Sequence, residues 1–249
     1  MIKASAFILI SVLFILVLCS AVNFASPSQK NKVQRENHPP VVKIIAPKNN
    51  SFFNGNSQVN YTISVSDKED GESKYEEINP KEVLLEIKYA GDVSKLTGEL
   101  NRTDQSDPSG LTVIRTSNCF NCHSFNSKLI GPSFNEISKR YPATSFNIAL
   151  LIKRIREGST GVWGKVSMPT HPELTKEETQ NMVQWILKNA TNPNISYYIG
   201  TEGSFRIKQP VGAAQNAAYI LTASYTDHGL KDDSKQRLMG RDVVIISSR

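Results

Sequence analysis

Residues 117–125 read SNCFNCHSF, with the pattern Cys119-x-x-Cys122-His123 at their centre. The chain has three cysteines and four histidines in 249 residues, so this stretch concentrates chemistry that is scarce elsewhere. Two thiols three residues apart have few ordinary uses. A disulfide across so short a gap closes a tiny loop and stabilises little. A dithiol redox pair does not need the histidine, and it belongs in a βαβ setting that the flanking sequence lacks. A tetrahedral zinc site needs a fourth ligand, and no further cysteine follows. The remaining use is attachment of a c-type haem. On one helical turn the two thiols reach the two vinyl groups of a single porphyrin and form thioethers. The next residue, His123, then offers its imidazole to the iron.

The start of the chain agrees with an oxidising, exported setting. Lys3 is followed by the apolar run Ala6–Leu18 and then by the small residues of CSAVNFA. That order is a secretory leader over residues 1–25, with acceptable cleavage after Ala21 or Ala25. A retained N-terminal anchor is the alternative, because Ala4–Ala25 is nearly long enough to span a bilayer. Lipidation at Cys19 is disfavoured by the bulky Leu18 before it. Each version places the rest outside the cytoplasm, in the periplasm or an equivalent compartment. The membrane is then reached only through the N-terminal segment, if it stays uncleaved. Cleavage removes Cys19 and leaves Cys119 and Cys122 alone.

A hydrophobic fraction of 39% and a charged fraction of 21% describe an ordinary folded chain. The net charge of +6 is spread without a basic tract or aromatic interleaving, which argues against a nucleic-acid partner. Residues 26–38 are polar and aperiodic and read as a tether. Three strand candidates follow at Val41–Ala46, Val59–Ser66 and Val83–Tyr89, each rich in β-branched or aromatic residues and bounded by turn residues. The polar run GDVSKLTGELNRTDQSDPSG reads as a linker. Residues 107–190 read as helical. Asp107-Pro108 opens the block. Ser145 caps a helix that Gly158 stops, and Thr175 with Glu178 forms a capping box for a last helix with Met182, Trp185 and Ile186 on its apolar face. Leu111 pairs with Trp185 and Ile186 where the first and last helices meet. Strands return at Ser204–Lys208, Ala218–Tyr225 and Asp242–Ser247. Three strands rarely bury a sandwich core alone. The two ends are therefore expected to complete one sandwich, residues 39–92 with 196–249, around a helical unit at 106–190. Three separate beads are the alternative.

An iron porphyrin has a second axial position, and Met168, Met182, Met239, His171 and His228 are the downstream candidates. Met168 lies in KVSMPTHPE, where Pro169 forbids regular helix and suits a side chain presented inward from a loop. His171 in the same loop gives a bis-histidine alternative. From Asp107 to Asn189 the chain resembles the small bacterial class I monohaem cytochromes c, through CFNCHSFNSKLIGPSF, IKRIREGSTGVWGKVSMP and MVQWILKN in order. The resemblance implies one covalently bound haem c, with Cys119 and Cys122 as thioethers, His123 as proximal and Met168 as distal ligand. It also implies that the Pro132 carbonyl accepts from His123, and that Trp163 and Arg154 donate to the haem propionates. The alternatives are packing for Trp163, a solvated charge for Arg154 and a plain turn for Pro132.

The flanks HPPVVKIIAP, VNYTISVSDKEDG and AYILTASYTDHG resemble immunoglobulin-like PKD modules. With the haem block they resemble the tail of some pyrroloquinoline-quinone sugar dehydrogenases, although no catalytic propeller is present. The expected fold is thus mixed: an all-α class I cytochrome c domain inserted in an immunoglobulin-like antiparallel β-sandwich. Asp67, Glu69, Asp70 and Asp227 come to one end of such a sandwich, as solvated turn residues or as Ca²⁺ ligands. Tyr219 is expected to hold a corner through its hydroxyl. The function implied is an exported, non-enzymatic electron carrier between redox proteins, a quinoprotein dehydrogenase or a terminal oxidase among them. Lys128, Lys139, Arg140 and Lys165 are candidates to ring the exposed haem edge. Two other classes remain: a haem enzyme or sensor with a displaceable sixth ligand, and a binding module using Phe52, Phe53, Tyr197 and Tyr198.

Overall fold

Strand pairing crosses the helical stretch in both sheets. The computed structural model describes residues 36–91, 106–207, 217–231 and 236–248. The leader, nearly all of the tether and most of the linker after Gly91 lie outside the described residues. Before the cysteine pair run β1 (Val41–Ala46), β2 (Ser51–Phe53), β3 (Gln58–Asp67), β4 (Gly71–Glu72) and β5 (Leu84–Ala90). Then come α1 (Ser109–Thr116), α2 (Phe134–Arg140), α3 (Ser145–Glu157) and α4 (Lys176–Asn189). The chain closes with β6 (Ile195–Ile199), β7 (Glu202–Arg206), β8 (Ala218–Thr226) and β9 (Met239–Ser248). One sheet joins β1, β3 and β4, with β7 on β3; the other has the order β2-β9-β8-β5-β6. Thus β3 takes β7 as a partner, with Val59 opposite Phe205, and β5 takes β6 and β8, with Glu86 opposite Tyr197 and Thr222.

The ladders are antiparallel with one exception: β2 runs parallel to β9. The chain leaves β1 at Pro47, which has no N–H to extend the ladder with β3, and β2 pairs in the opposite sheet. Between the sheets lie the inward rows of each strand, including Ile63 and Val65 of β3, Leu85 and Ile87 of β5, and Leu221 and Ala223 of β8. Tyr219 is also in this core, edge-on to Phe53 and Tyr89 at 5.4 Å. Its ring packs there, and burial pushes its phenol up to about 12.

The helices follow their caps. Thr175 and Glu178 exchange bonds at the start of α4, as expected, and Ser133 with Glu136 does the same for α2. The α3 cap is Thr144, one residue before Ser145, accepting from the Asn147 N–H at 3.2 Å. Leu111 and Ile114 of α1 pack with Trp185 and Ile186 of α4. Gly110 makes that crossing possible, because a Cβ there would fall on Asn181 O and lie 2.5 Å from Trp185 Cβ. Leu84 and Tyr197, on the outer face of β5–β6, belong to the same apolar cluster. Phe125 stacks on Tyr197 at 4.7 Å. A buried clamp adds to this contact: Arg115 of α1 donates to Asp107 (2.7 Å), Ser224 and the Glu82 carbonyl, and Arg241 reaches the same Asp107 (2.9 Å). Among the described residues no helix is long and apolar enough to cross a membrane.

Candidate functional site

After α1 the chain turns at Asn118, in left-handed backbone, into the single 3₁₀ turn Cys119–Asn121. The N–H groups of Cys122 and His123 both return to Cys119 O, at 3.1 and 2.9 Å. That turn sets both thiols and the imidazole beside one cavity. The thiols are free and half-buried. Burial pushes the Cys119 thiol up to about 12, so it stands as a neutral thiol.

The next loop grips the imidazole. Gly131 N–H donates to Cys122 O at 2.8 Å, which brings the Pro132 carbonyl to 2.7 Å from His123 Nδ1. Gly131 is where a side chain would not fit: a Cβ would lie 2.5 Å from His123 Cε1. Phe134 stacks on the ring at 5.6 Å with planes 12° apart. Burial holds His123 below the usual imidazole range, against the opposing effect of the Pro132 bond. The ring is therefore a neutral imidazole with its Nδ1 occupied, leaving Nε2 as the free nitrogen.

Met168 comes to the same cavity from a different segment. Ser159 and Met168 exchange two backbone bonds, 2.8 and 3.2 Å, and so clip shut the loop between them. Gly158, with φ of +82°, makes the turn out of α3 that this clip requires. Trp163 and Arg154 also line the cavity. Arg154 donates to the Tyr141 hydroxyl at 2.6 Å, and Arg140 lies over the Trp163 ring at 4.6 Å while donating to Val162 O. All seven expected site residues, Cys119, Cys122, His123, Pro132, Arg154, Trp163 and Met168, line this one space. Tyr141 was not foreseen; nothing in the local sequence marks it.

Among the other axial candidates, His171 and Met182 line the cavity. Met182 is only 2% exposed and belongs to the packing of α4. His171 Nδ1 faces Glu173 at 2.9 Å. Met239 and His228 lie elsewhere: Met239 opens β9, and His228 contacts Asp70 and Glu82. Three of the four aromatics considered for a binding face are packed inward or half-buried, Tyr197 on Phe125, Phe53 on Tyr219 and Tyr198 beside Tyr61. Only Phe52 is broadly exposed.

The model of the family described as cytochrome c matches residues 109–190. Cytochrome c-551 of Azotobacter vinelandii is 33% identical over 78 residues, which is 31% of this chain and 94% of that protein. Cytochrome c-551 of Ectopseudomonas mendocina is 34% identical over 79 residues, 32% of this chain and 95% of that one. The chain belongs to the cytochrome c family. A solved structure of Nitrosomonas europaea cytochrome c552 is similar to 31% of this chain and covers 96% of its own, at 28% identity and a TM-score of 0.30.

As a cytochrome c of class I over residues 109–190, the protein is a haem c electron-transfer protein. One matching stretch corresponds to one covalently bound haem. The cavity fits that group. It encloses about 1130 Å³, part of it open to solvent, with two thiols at one border. Its walls are apolar, with Ile155, Leu174, Val183 and Ile186 among them. The one imidazole held by a carbonyl has its second nitrogen unassigned.

Proposed function

We propose that this chain is an exported single-haem electron carrier with histidine–methionine ligation. The observation that carries the reading is the convergence of Cys119, Cys122 and His123 from one turn with Met168 from a clipped loop. Bound there, haem c supplies an iron that gains and loses one electron. Cys119 and Cys122 hold it as thioethers. His123 donates Nδ1–H to Pro132 O, which fixes the ring and keeps Nε2 for the metal. Met168 would offer its thioether to the iron, a pairing that would raise the reduction potential. Trp163 offers an indole N–H to a propionate. Arg154 offers the guanidinium N–H groups that Tyr141 does not take. The apolar walls keep water away.

In the same reading the cytochrome domain, residues 106–190, is inserted in a PKD- or immunoglobulin-like sandwich formed by 39–92 and 196–249. The pairing of β3 with β7 and of β5 with β6 supports this. Residues 1–25 act as signal peptide or anchor, and 26–38 as a tether, so the protein works in the periplasm or an equivalent space. Its partners are redox proteins, a quinoprotein dehydrogenase or terminal oxidase among them, and it catalyses no reaction of its own. Redox interfaces of this kind are small and short-lived, and Lys128, Lys139 and Lys165 are exposed to serve one.

The test is Met168→Ala in protein matured with haem. Pyridine-haemochrome analysis is expected to give one haem c per chain in both forms. The variant loses the methionine–iron charge-transfer band and its potential falls by tens of millivolts or more. An unchanged band and potential would reject Met168. If they are instead lost in His171→Ala, the bis-histidine reading replaces it. A colourless or zinc-loaded wild type would remove the electron-carrier reading altogether.

A further inference from the structure

Two aspartates stand where apolar side chains would continue the sandwich core. The inward row of β3 runs Tyr61, Ile63, Val65 and then Asp67, which is only 6% exposed. The inward row of β8 runs Tyr219, Leu221, Ala223 and Tyr225 and continues to Asp227, fully buried one residue past the strand. The alternation is that of any strand with one face inside. Strands β3 and β8 belong to different sheets, so the two carboxylates come to the same end from facing layers. The sequence left them as solvated turn residues or as Ca²⁺ ligands; burial removes the solvated reading for both.

Asp227 is well supplied. Its Oδ1 accepts from the Gly229 and Leu238 N–H groups at 2.9 and 2.8 Å, and its Oδ2 accepts from Asn37 Nδ2 at 2.8 Å. Asp67 is not. Its Oδ1 accepts from the Glu69 and Asp70 N–H groups, while its buried Oδ2 accepts nothing. Asn37 repeats the pattern: Nδ2 donates to Asp227 and to Gln236 O, and the buried Oδ1 has no donor. Asn37 is bonded to Asp227, and the Asp227 charge is felt at Asp67; one oxygen of Asp67 and one of Asn37 are buried without a donor.

The basic side chains nearby are engaged with other acids. His38 faces Glu69 at 2.9 Å, with Lys68 behind it at 3.2 Å. His228 faces Asp70 at 3.0 Å and Glu82 at 3.2 Å, and the Tyr225 hydroxyl also donates to Asp70. Burial pushes the Asp67 carboxyl above the usual range, against its two N–H bonds, and the like charges of Asp70 and Asp227 add to the rise. A buried carboxylate without counter-charge is costly. Oxygen lone pairs with no donor call for a proton or a cation. The donors here are hard: two carboxylates and an amide, with backbone carbonyls and water to complete a shell. That set suits Ca²⁺, which takes six to eight oxygens in adaptable geometry. Among the described residues no three His, Cys, Asp or Glu side chains form a group that could hold a metal ion, so a site here needs the Asn37 amide as its third protein ligand.

We propose that Asp67, Asp227 and Asn37 bind one Ca²⁺ ion at this end of the sandwich. The ion ties the approach to β1, where Asn37 lies, to the ends of β3 and β8. The proposal stands apart from the haem reading, and its test does not use the haem.

Full-length protein carrying its haem is stripped with EGTA and titrated with CaCl₂ by calorimetry and by thermal unfolding. One saturable site per chain is expected, half-filled on the order of 0.1–1 mM, the range of weaker calcium modules. The melting temperature rises with Ca²⁺ and not with equal Mg²⁺. Asp67→Asn keeps the two N–H bonds and removes the charge, so it abolishes the calcium response while raising the melting temperature of the stripped protein. Asn37→Ala, at a half-exposed position, weakens binding at least tenfold without unfolding the chain. The absence of saturable heat and of any calcium-dependent melting shift in the wild type would overturn the proposal. So would a wild type stabilised only by acid, as a proton shared at Asp67 would produce.

Discussion

Arg115→Ala is the perturbation that tests whether the helical stretch and the sheet are held as one unit. Arg115 is 6% exposed at its side chain and Asp107 is 5% exposed, so the pair is dry. The guanidinium donates to Asp107 Oδ2 at 2.7 Å, to Ser224 Oγ and O at 2.9 and 3.1 Å, and to Glu82 O at 3.2 Å. Alanine leaves Asp107 with Arg241 alone and strips donors from two carbonyls of the sheet side. Removing one member of a buried ion pair costs about 3–5 kcal/mol, most of it the penalty on the charge left behind. At about 2–4 °C per kcal/mol for a chain of this size, the melting temperature falls by about 6–20 °C. Unfolding is followed on the haem-loaded protein by far-ultraviolet circular dichroism and by Soret absorbance. Both transitions are expected to fall together, because Arg115 is on α1 and its carbonyl acceptors are beside β5 and in β8. Adding Asp107→Leu and Arg241→Met to Arg115→Met removes all three linked charges together, so none is left alone, and is expected to recover most of the loss. A drop under about 2 °C, or a Soret transition that stays put while the dichroism splits in two, would refute the reasoning.

Gly131→Ala places a Cβ 2.5 Å from His123 Cε1 and 3.0 Å from both ring nitrogens, so the imidazole must move off the Pro132 carbonyl. Overpacking of this kind costs about 1–3 kcal/mol. The haem is expected to stay attached through the cysteines while the ferric spectrum gains high-spin character, and an unaltered visible and EPR spectrum would show that the ring has room. A second prediction concerns alkali. Burial pushes Tyr61 up to about 12, and Tyr198 and Glu202 add to the rise. The unfolded phenol titrates near about 10, so the folded state keeps a proton that the unfolded state loses. This contribution is complete below about pH 10 and is lost as pH rises toward 12. Of eight tyrosines, Tyr61, Tyr197, Tyr219 and Tyr225, all pushed up by burial, are expected to stay un-ionised until unfolding begins, as followed by absorbance near 295 nm. A single reversible step near pH 10 for all eight would contradict it.

The turn that gathers Cys119, Cys122 and His123 is legible in the sequence because its chemistry is local. Two thiols and an imidazole within five residues need one turn to be brought together, and Cys119–Asn121 is that turn. The loop position of Met168 is legible because Pro169 rules out helix at that point. The two-bond clip between Ser159 and Met168 joins residues nine apart and has no signature of its own. The α2 helix shows a signal passed over: Ser133 and Glu136 have the same spacing as Thr175 and Glu178, and both pairs close a capping box. β2 and β4, at three and two residues, are too short to show a period. Asp67 and Asp227 were misjudged because a turn-like setting outweighed the strand register, which continues one step further and carries both side chains inside.

The strand β6 argues the larger point. Its sequence, Ile195-Ser-Tyr-Tyr-Ile199, puts Tyr198 toward the sandwich core and Ile195, Tyr197 and Ile199 on the opposite face. A strand with apolar residues on both faces has to be covered on both. The outer face finds its cover in Phe125 and Trp185, whose rings lie 4.7 and 5.4 Å from Tyr197. Phe125 in turn lies edge-on to Phe134 at 5.3 Å, the ring that stacks on His123. The stretch shared with the cytochrome c relatives, residues 109–190, contains Phe125 and Trp185 but neither Tyr197 nor Leu84. Taken alone, that stretch would expose an aromatic face two rings away from the imidazole. The sheet therefore finishes the packing behind the haem turn, and the proximal wall of the cavity depends on residues the family match does not include.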